Sequence, residues 1–324
     1  MSSRDKFPPV RVLVVTNLYP TARRPALGPF VRDQVDALRS LDDIEVDLHS
    51  FDPPGGIRPY LKESVALARR YRGSDYDVVH SHYGLTGFCA LAVRGARGHA
   101  VTFHGDDLRL AKVAPISRLV ARLSDLPATV SGGLARSEAP ALGGPGRRRR
   151  VAVLPCGIDL ERLRPIPRAD ARRELGLDQD ARYLLFPADP ARPEKRVDRA
   201  RQLVPDGVEL IHYDDTPPER VPLYINAANA VLVTSEREGF GLAPLEALAC
   251  DVPVLATDVG IAPLALAGIP GTLCAPFERD AWLRALTPHL DEDDPRVHGR
   301  GRATLFGSRR MAERVACAYR DLLG

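Results

Sequence analysis

The chain has 324 residues, 44% of them hydrophobic and 27% charged, with a formal net charge of +3. These proportions are ordinary for a globular protein, and the length suits two α/β domains or one large one. No apolar run approaches the roughly 20 residues that span a bilayer, and the N-terminal stretch 1–9 has no signal-peptide core, so cytoplasmic placement is expected.

Strands and helices alternate along the chain, the pattern of doubly wound parallel sheets. Val10-Arg11-Val12-Leu13-Val14-Val15-Thr16 reads as a buried strand, followed by a loop rich in Pro and Arg and a helix near 30–40. Further strands are expected at 45–51, 77–81, 100–103, 128–131 and 150–154. The second half repeats the theme at 183–187, 208–212, 230–234, 253–257 and 272–273. A proline-bearing segment at 158–168 marks a boundary, which gives an N-terminal domain 1–160 and a C-terminal domain 161–308. The last helix carries Met311, Val315, Ala318, Tyr319 and Leu322 at helical spacing.

The most informative stretch follows the apolar strand 230–234. It runs Ser235-Glu236-Arg237-Glu238-Gly239-Phe240-Gly241-Leu242-Ala243-Pro244-Leu245-Glu246-Ala247-Leu248-Ala249-Cys250. Glu238 falls in a loop, and Glu246, eight positions later, is expected about two turns inside a helix. The glycines let backbone approach a ligand, and free amides at a helix start suit phosphate. Carboxylates suit the hydroxyls of sugar and ribose. Together these features describe a nucleotide-sugar site. A surface loop before an ordinary amphipathic helix also yields two glutamates at this spacing, but the full string argues against it.

That string, with Pro253-Val254-Leu255-Ala256-Thr257-Asp258-Val259-Gly260 behind it, resembles the Glu-x7-Glu signature of retaining glycosyltransferases with the two-domain GT-B fold, in particular glycosyltransferase family 4. Leu154-Pro155-Cys156-Gly157-Ile158-Asp159 is similar to the family's interdomain Pro-Asn-Gly-Val-Asp, with Cys156 where Asn is usual. The resemblance implies two Rossmann-like parallel-sheet domains facing across a cleft, with nucleotide on the second and acceptor on the first. It also implies that the tail 309–324 crosses back to the N-terminal domain. Glu246 would hold the ribose and Glu238 the sugar hydroxyls, with Gly239, Phe240, Gly241 and Leu242 around sugar and phosphate. In Ala188-Asp189-Pro190-Ala191-Arg192-Pro193-Glu194-Lys195-Arg196, Lys195 and either Arg192 or Arg196 would clamp the pyrophosphate in place of a divalent metal. No metal or other cofactor is expected.

On the first domain the resemblance implies that His104, in Phe103-His104-Gly105-Asp106-Asp107, lies near the anomeric carbon and the acceptor. Gly105 would give backbone access, and Asp106 is an acceptor candidate. The end of a parallel strand is also a place where ligands bind. His80 and His82 alternate along a strand end; two histidines without a third ligand make a poor metal site. They read as cleft-edge or structural residues, with His82 the better acceptor contact. Gly28 takes the position of the family's helix-opening glycine beside the donor phosphates, although Pro29 replaces the usual second glycine.

The implied activity is transfer of a sugar from UDP or GDP to a hydroxyl acceptor (glycan, lipid-linked or small molecule) with retained anomeric configuration. The alternatives are a nucleotide-sugar epimerase or hydrolase, and a non-catalytic scaffold that keeps the fold. Residues 1–160 carry 23 Lys and Arg against 16 Asp and Glu, a balance of +7, whereas 161–324 carry −4. A basic first half could attract an anionic acceptor or membrane, and solvated arginine accounts for it equally well. Ile116, Leu119, Val120 and Leu123 form an apolar stripe beside Lys112, Arg118 and Arg122; a fourfold arginine cluster follows at 147–150. The stripe is expected to pack on its own sheet, with membrane contact as the alternative. No nucleic-acid motif is evident. The five scattered cysteines read as small buried residues in a reducing compartment.

Overall fold

Val10–Thr16 is apolar at almost every position because it becomes an interior strand with both faces covered, as parallel sheets require. The computed structural model describes residues 8–52, 56–143, 151–213 and 215–324, apart from the side chains of 139, 140 and 143; the arginine run 147–150 lies outside them. The described residues group into two compact units. The first takes the chain up to Tyr19, Phe30–Gly157 and Ser308–Gly324; the second takes Pro20–Pro29 and Ile158–Gly307.

The first unit has six strands, β1 (Val10–Thr16), β2 (Ile44–Ser50), β3 (Val78–His82), β4 (Gly98–Phe103), β5 (Leu126–Thr129) and β6 (Ala152–Val153). All pair in parallel, in the order β2-β1-β3-β4-β5-β6. Its helices are α1 (Pro29–Arg39), α2 (Arg58–Arg70), α3 (Gly84–Ala90), α4 (Asp106–Arg109), α5 (Ala114–Leu123) and α6 (Gly132–Gly143). The second unit has β7 (Arg182–Phe186), β8 (Val208–His212), β9 (Ala230–Val233), β10 (Val254–Ala256) and β11 (Leu273–Cys274), parallel in the order β11-β10-β9-β7-β8. Around it lie α7 (Arg168–Leu175), α8 (Val197–Arg201), α9 (Val221–Ala227), α10 (Ala243–Ala249), α11 (Ala262–Leu266), α12 (Arg279–Asp291) and α13 (Arg300–Ala303). The last helix, α14 (Ser308–Leu323), belongs to the first unit.

Alternate residues of β1 feed two cores. Val12 and Val14 pack with α1's Val31, Val35 and Leu38 and with Ala312, Val315, Ala316 and Tyr319 of α14. Leu13 and Val15 pack with Tyr60 and Leu67 of α2 and with Leu85 and Cys89 of α3. In the second unit Leu184, Phe186, Leu232 and Leu255 close on Trp282 and Leu286 of α12. Each sheet reverses its winding once, between β1 and β3 in the first and between β7 and β9 in the second. In open parallel sheets, ligands bind at the strands' carboxyl ends beside this reversal. The loops after β1, β3, β7 and β9 are therefore where a site belongs.

The chain enters the second unit at Ile158 and leaves it at Gly307, and these two residues bridge in parallel. A Cβ on Gly157 would come within 2.7 Å of the Ser308 backbone, so this position takes only glycine at the observed spacing. The cysteines divide: Cys89, Cys156 and Cys250 are buried as expected, Cys274 is half-buried, and Cys317 is exposed on α14. The stripe on α5 also divides. Val120 is buried and Ile116 half-buried, but Leu119 and Leu123 face solvent, because the helix presents Ala114, Ser117 and Ala121 inward instead.

Candidate functional site

In the second unit the loops after β7 and β9 meet. The first ends in a tight 3-10 turn, Pro193–Lys195, and Arg196 then takes the left-handed conformation with φ 56°. The Thr234 hydroxyl, at the end of β9, donates to the carbonyls of Lys195 and Arg196 at 3.1 and 3.0 Å, and the Glu236 amide to that of Glu194 at 2.9 Å. These bonds fix Lys195 against the next loop. Its Nζ donates to Glu238 Oε1 at 2.6 Å, and the Ser235 hydroxyl donates to the same oxygen at 2.7 Å. Ser235 is held in turn by the Thr257 hydroxyl on its carbonyl.

Both members of the Lys195–Glu238 pair are mostly covered, with side chains 17% and 12% exposed. A pair screened from water this far interacts more strongly than a surface pair. The loop that carries it needs glycine twice. Gly241 has φ 78°, and a Cβ there would press on the Glu238 side chain. Gly260 has φ 60°, and a Cβ there would meet the Phe240 carbonyl at 2.2 Å. That same carbonyl accepts from the Ile261 amide at 2.7 Å, so the loops after β9 and β10 lie backbone to backbone. Phe240 is buried, while Gly239, Gly241 and Leu242 are half-buried.

Helix α10 opens at Ala243, later than the string suggests. Glu246 thus lies in its first turn, not two turns inside, because Gly241, at φ 78°, keeps the backbone up to it out of the helix. A carboxylate in a first turn faces the helix's positive end. Glu246 also lies close enough to Tyr213 to reinforce the upward push that burial gives that phenol. The two candidate arginines already hold carboxylates. Arg192 pairs with Glu194 at 2.6 Å; Arg196 forks onto Asp198 and reaches Glu236 at 3.3 Å.

In the first unit, β3 and β4 end in histidines whose rings are layered. His80 stacks on His82 at 4.7 Å, and His82 lies 5.4 Å from His104, which in turn meets Phe30 at 5.0 Å. His80 is fully buried between the Tyr319 hydroxyl of α14 at 2.6 Å and the Thr102 hydroxyl at 2.8 Å. Among the described residues no His, Cys, Asp or Glu group is arranged to hold a metal. Burial pushes His80 down to about 3 and His104 down to about 4, and pushes His82 well below its usual value. All three rings are neutral at neutral pH.

Neutral rings have a definite tautomer. The Gln34 amide nitrogen lies 3.4 Å from His82 Nε2, and His82 Nδ1 lies 3.2 Å from His104 Nε2. With the Gln34 amide turned this way its nitrogen donates, His82 Nε2 accepts and the His82 proton sits on Nδ1. His82 then donates to His104 Nε2, which leaves the His104 proton on Nδ1.

Asp107 organises the same loop. Its carboxylate accepts from the amides of His104, Gly105 and Gly84 at 3.1, 2.9 and 3.1 Å. Burial nevertheless pushes it up to about 7. Gly105 itself has φ 113°. Asp106, the sequence candidate, is exposed at the start of α4, while His82 is only 1% exposed. Gly28 is buried with φ 61° and opens α1 with Pro29 behind it, where the ring presets the first helical φ.

Two family models cover most of the chain: Glycosyltransferase Family 4 matches residues 10–162, and Glycosyl transferases group 1 matches 172–302. The D-inositol 3-phosphate glycosyltransferase of Mycobacterium avium is 30% identical across 79% of this chain and 71% of its own. The chain belongs to glycosyltransferase family 4. The enzyme of the same name from Frankia alni is 29% identical over 95% of this chain and 88% of its own. Sucrose-phosphate synthase from Thermosynechococcus elongatus superposes with a TM-score of 0.74 at 20% identity, covering 98% of this chain and 99% of that one. HepE of Anabaena, solved with UDP and glucose, superposes with a TM-score of 0.67 at 14% identity, over 96% and 99%. This family 4 protein is thus a glycosyltransferase of GT-B fold that moves a sugar from a nucleotide-sugar.

Gln34 and Asp107 escaped the sequence reading of the family 4 site. Gln34 meets His82 only through the fold, across 48 positions, and nothing local marks it. Asp107 had a signal: a carboxylate just inside a helix start can reach back to the amides before it.

Proposed function

We propose that this protein is a retaining glycosyltransferase that needs no divalent metal and takes a UDP- or GDP-sugar. The observation that carries the reading is the second-unit cluster: Lys195 on Glu238, backed by Ser235, beside a glycine-opened helix whose first turn carries Glu246. Glu246 accepts from the ribose hydroxyls. Glu238 holds the sugar hydroxyls through Oε2, since its Oε1 is kept by Ser235. Lys195 turns toward the pyrophosphate and stabilises the charge that grows there as the glycosidic bond breaks. Arg192 is assigned the second cationic role, because it has one carboxylate to release whereas Arg196 has two. Gly28 and the amides of 239–242 take phosphate and sugar oxygens.

The acceptor hydroxyl attacks the anomeric carbon on the face from which the nucleotide leaves. Its oxygen bonds to that carbon, the carbon–phosphate-oxygen bond breaks, and the hydroxyl proton passes to the departing phosphate. His104, neutral and carrying its proton on Nδ1, donates a hydrogen bond to donor or acceptor oxygen rather than a charge. Gly105 and Asp106 are assigned to the acceptor side. The relatives named for D-inositol 3-phosphate support a hydroxyl acceptor of small polyol type, and the UDP of HepE supports a uridine donor.

Incubation with UDP- and GDP-sugars and polyol phosphates, with EDTA present, tests the whole reading. Proton NMR of the product should show the donor's anomeric configuration retained. Inverted product, or turnover that EDTA abolishes, would contradict it.

A further inference from the structure

Asp107 ties together the ends of β3 and β4. It is wholly buried, at the second position of α4. Its Oδ1 accepts from the amides of His104 and Gly105 at 3.1 and 2.9 Å, and its Oδ2 from that of Gly84 at 3.1 Å. Its own carbonyl accepts from the Ser117 hydroxyl of α5 at 2.7 Å. One residue thus joins the loop after β3, the loop after β4 and the start of α5's buried face.

Both loops are held away from relaxed backbone. Tyr83 has φ 82°, a left-handed value that strains a bulky residue. Gly84, next to it, lies so close to α5 that a Cβ there would meet that of Ser117 at 2.6 Å. Strained backbone persists only where its surroundings hold it, and the carboxylate of Asp107 supplies that hold from both oxygens. Burying a carboxylate is unfavourable, and here desolvation outweighs the three amides. A neutral side chain would fill the space with less penalty, so stability alone does not account for the acid.

We propose that Asp107 is a positioning residue for sugar transfer, whose carboxylate fixes His104 by pinning the His104 and Gly105 amides to the start of α3. The role rests on the reading of His104 as the group that meets a donor or acceptor oxygen. Only an acid can accept from both loops at once with no donor of its own. An amide side chain offers one oxygen and turns its NH2 on the Gly84 amide. Asp107 itself touches neither substrate; it acts through the backbone that carries the imidazole.

Transfer rates from UDP- and GDP-sugars to polyol phosphates test this in the parent, Asp107→Asn and Asp107→Ala. The kcat should fall about tenfold in Asp107→Asn, for one lost hydrogen bond. It should fall about 100-fold in Asp107→Ala, the effect of moving a positioned group by about 1 Å. Donor KM and the UDP-induced melting shift should stay as in the parent, since Lys195, Glu238 and Glu246 all belong to the second unit. The amide protons of His104, Gly105 and Gly84 should move upfield in Asp107→Asn, read by nitrogen-15 correlation NMR. Asp107→Asn trades a buried charge for a neutral group of the same shape, so it carries the test if the alanine variant does not fold. Unchanged kcat in Asp107→Asn, or a loss that runs in step with donor affinity, would overturn the proposal and leave the donor site standing. No transfer by the parent would overturn the reading of His104 and this role with it.

Discussion

Glu238 and Lys195 lie 43 positions apart yet share one hydrogen bond. Each stands out in a recognisable string at a strand end, but their pairing is set by the fold and had no local signal. Glu246→Ala should weaken nucleotide affinity about 10- to 100-fold, the worth of a hydrogen bond to a charged group. Calorimetric titration with UDP and GDP measures this, and unchanged affinity for both would remove Glu246 from the ribose role. The histidine chain was less legible, for its logic needs Gln34. Gln34→Glu replaces a donor with an acceptor, so His82 should carry its proton on Nε2 and His104 should shift its own to Nε2. Nitrogen-15 NMR of the imidazoles reads both tautomers directly. Unmoved tautomers would mean that Gln34 does not set them.

At the scale of elements, β1 and β8 fall where the sequence puts them: β1 is an apolar run buried over most of its length, and β8 is a half-covered edge strand carrying Val208, Leu210 and Ile211 between polar neighbours. Helix starts were harder. The string 235–250 reads as continuous with a helix, but φ values of 78° at Gly241 and 60° at Gly260 belong to loops clamped against each other. Such clamping is tertiary and leaves no periodic trace. Gly260→Ala should cost about 1–3 kcal/mol from its backbone conformation, with the clash against Phe240 added. A lower melting temperature together with weaker nucleotide binding is expected. A melting temperature equal to the parent's would show that the loops tolerate separation. The α5 stripe held only for Ile116 and Val120: with small Ala and Ser facing the sheet, Leu119 and Leu123 were not needed inside.

At the scale of the whole molecule, the order of strands places a ligand-binding end on each unit, and both carry the polar clusters found there. The buried histidines also make stability depend on pH. Each stays neutral in the fold well below its usual 6.5, whereas the unfolded chain takes up a proton there. Stability present above pH 6.5 is therefore lost as pH falls toward 4, by up to about 1.4 kcal/mol per unit for each histidine. Asp107, raised to about 7, acts in the opposite sense between about pH 4 and 7 and offsets one of the three. Melting temperature should thus fall from pH 6.5 to 4, and His104→Asn should flatten that fall. A profile that is level in the parent would contradict the burial of neutral rings.

The donor site of the second unit is tested by a melting-temperature panel with UDP, GDP, ADP, dTDP and CDP, each with and without magnesium. A nucleotide at 100 times its dissociation constant stabilises by about 2.7 kcal/mol. Melting temperature should rise with UDP or GDP, indifferent to magnesium, and stay unmoved in Glu246→Ala. A protein whose melting is unmoved by every nucleotide, or moved only when magnesium is present, would contradict it.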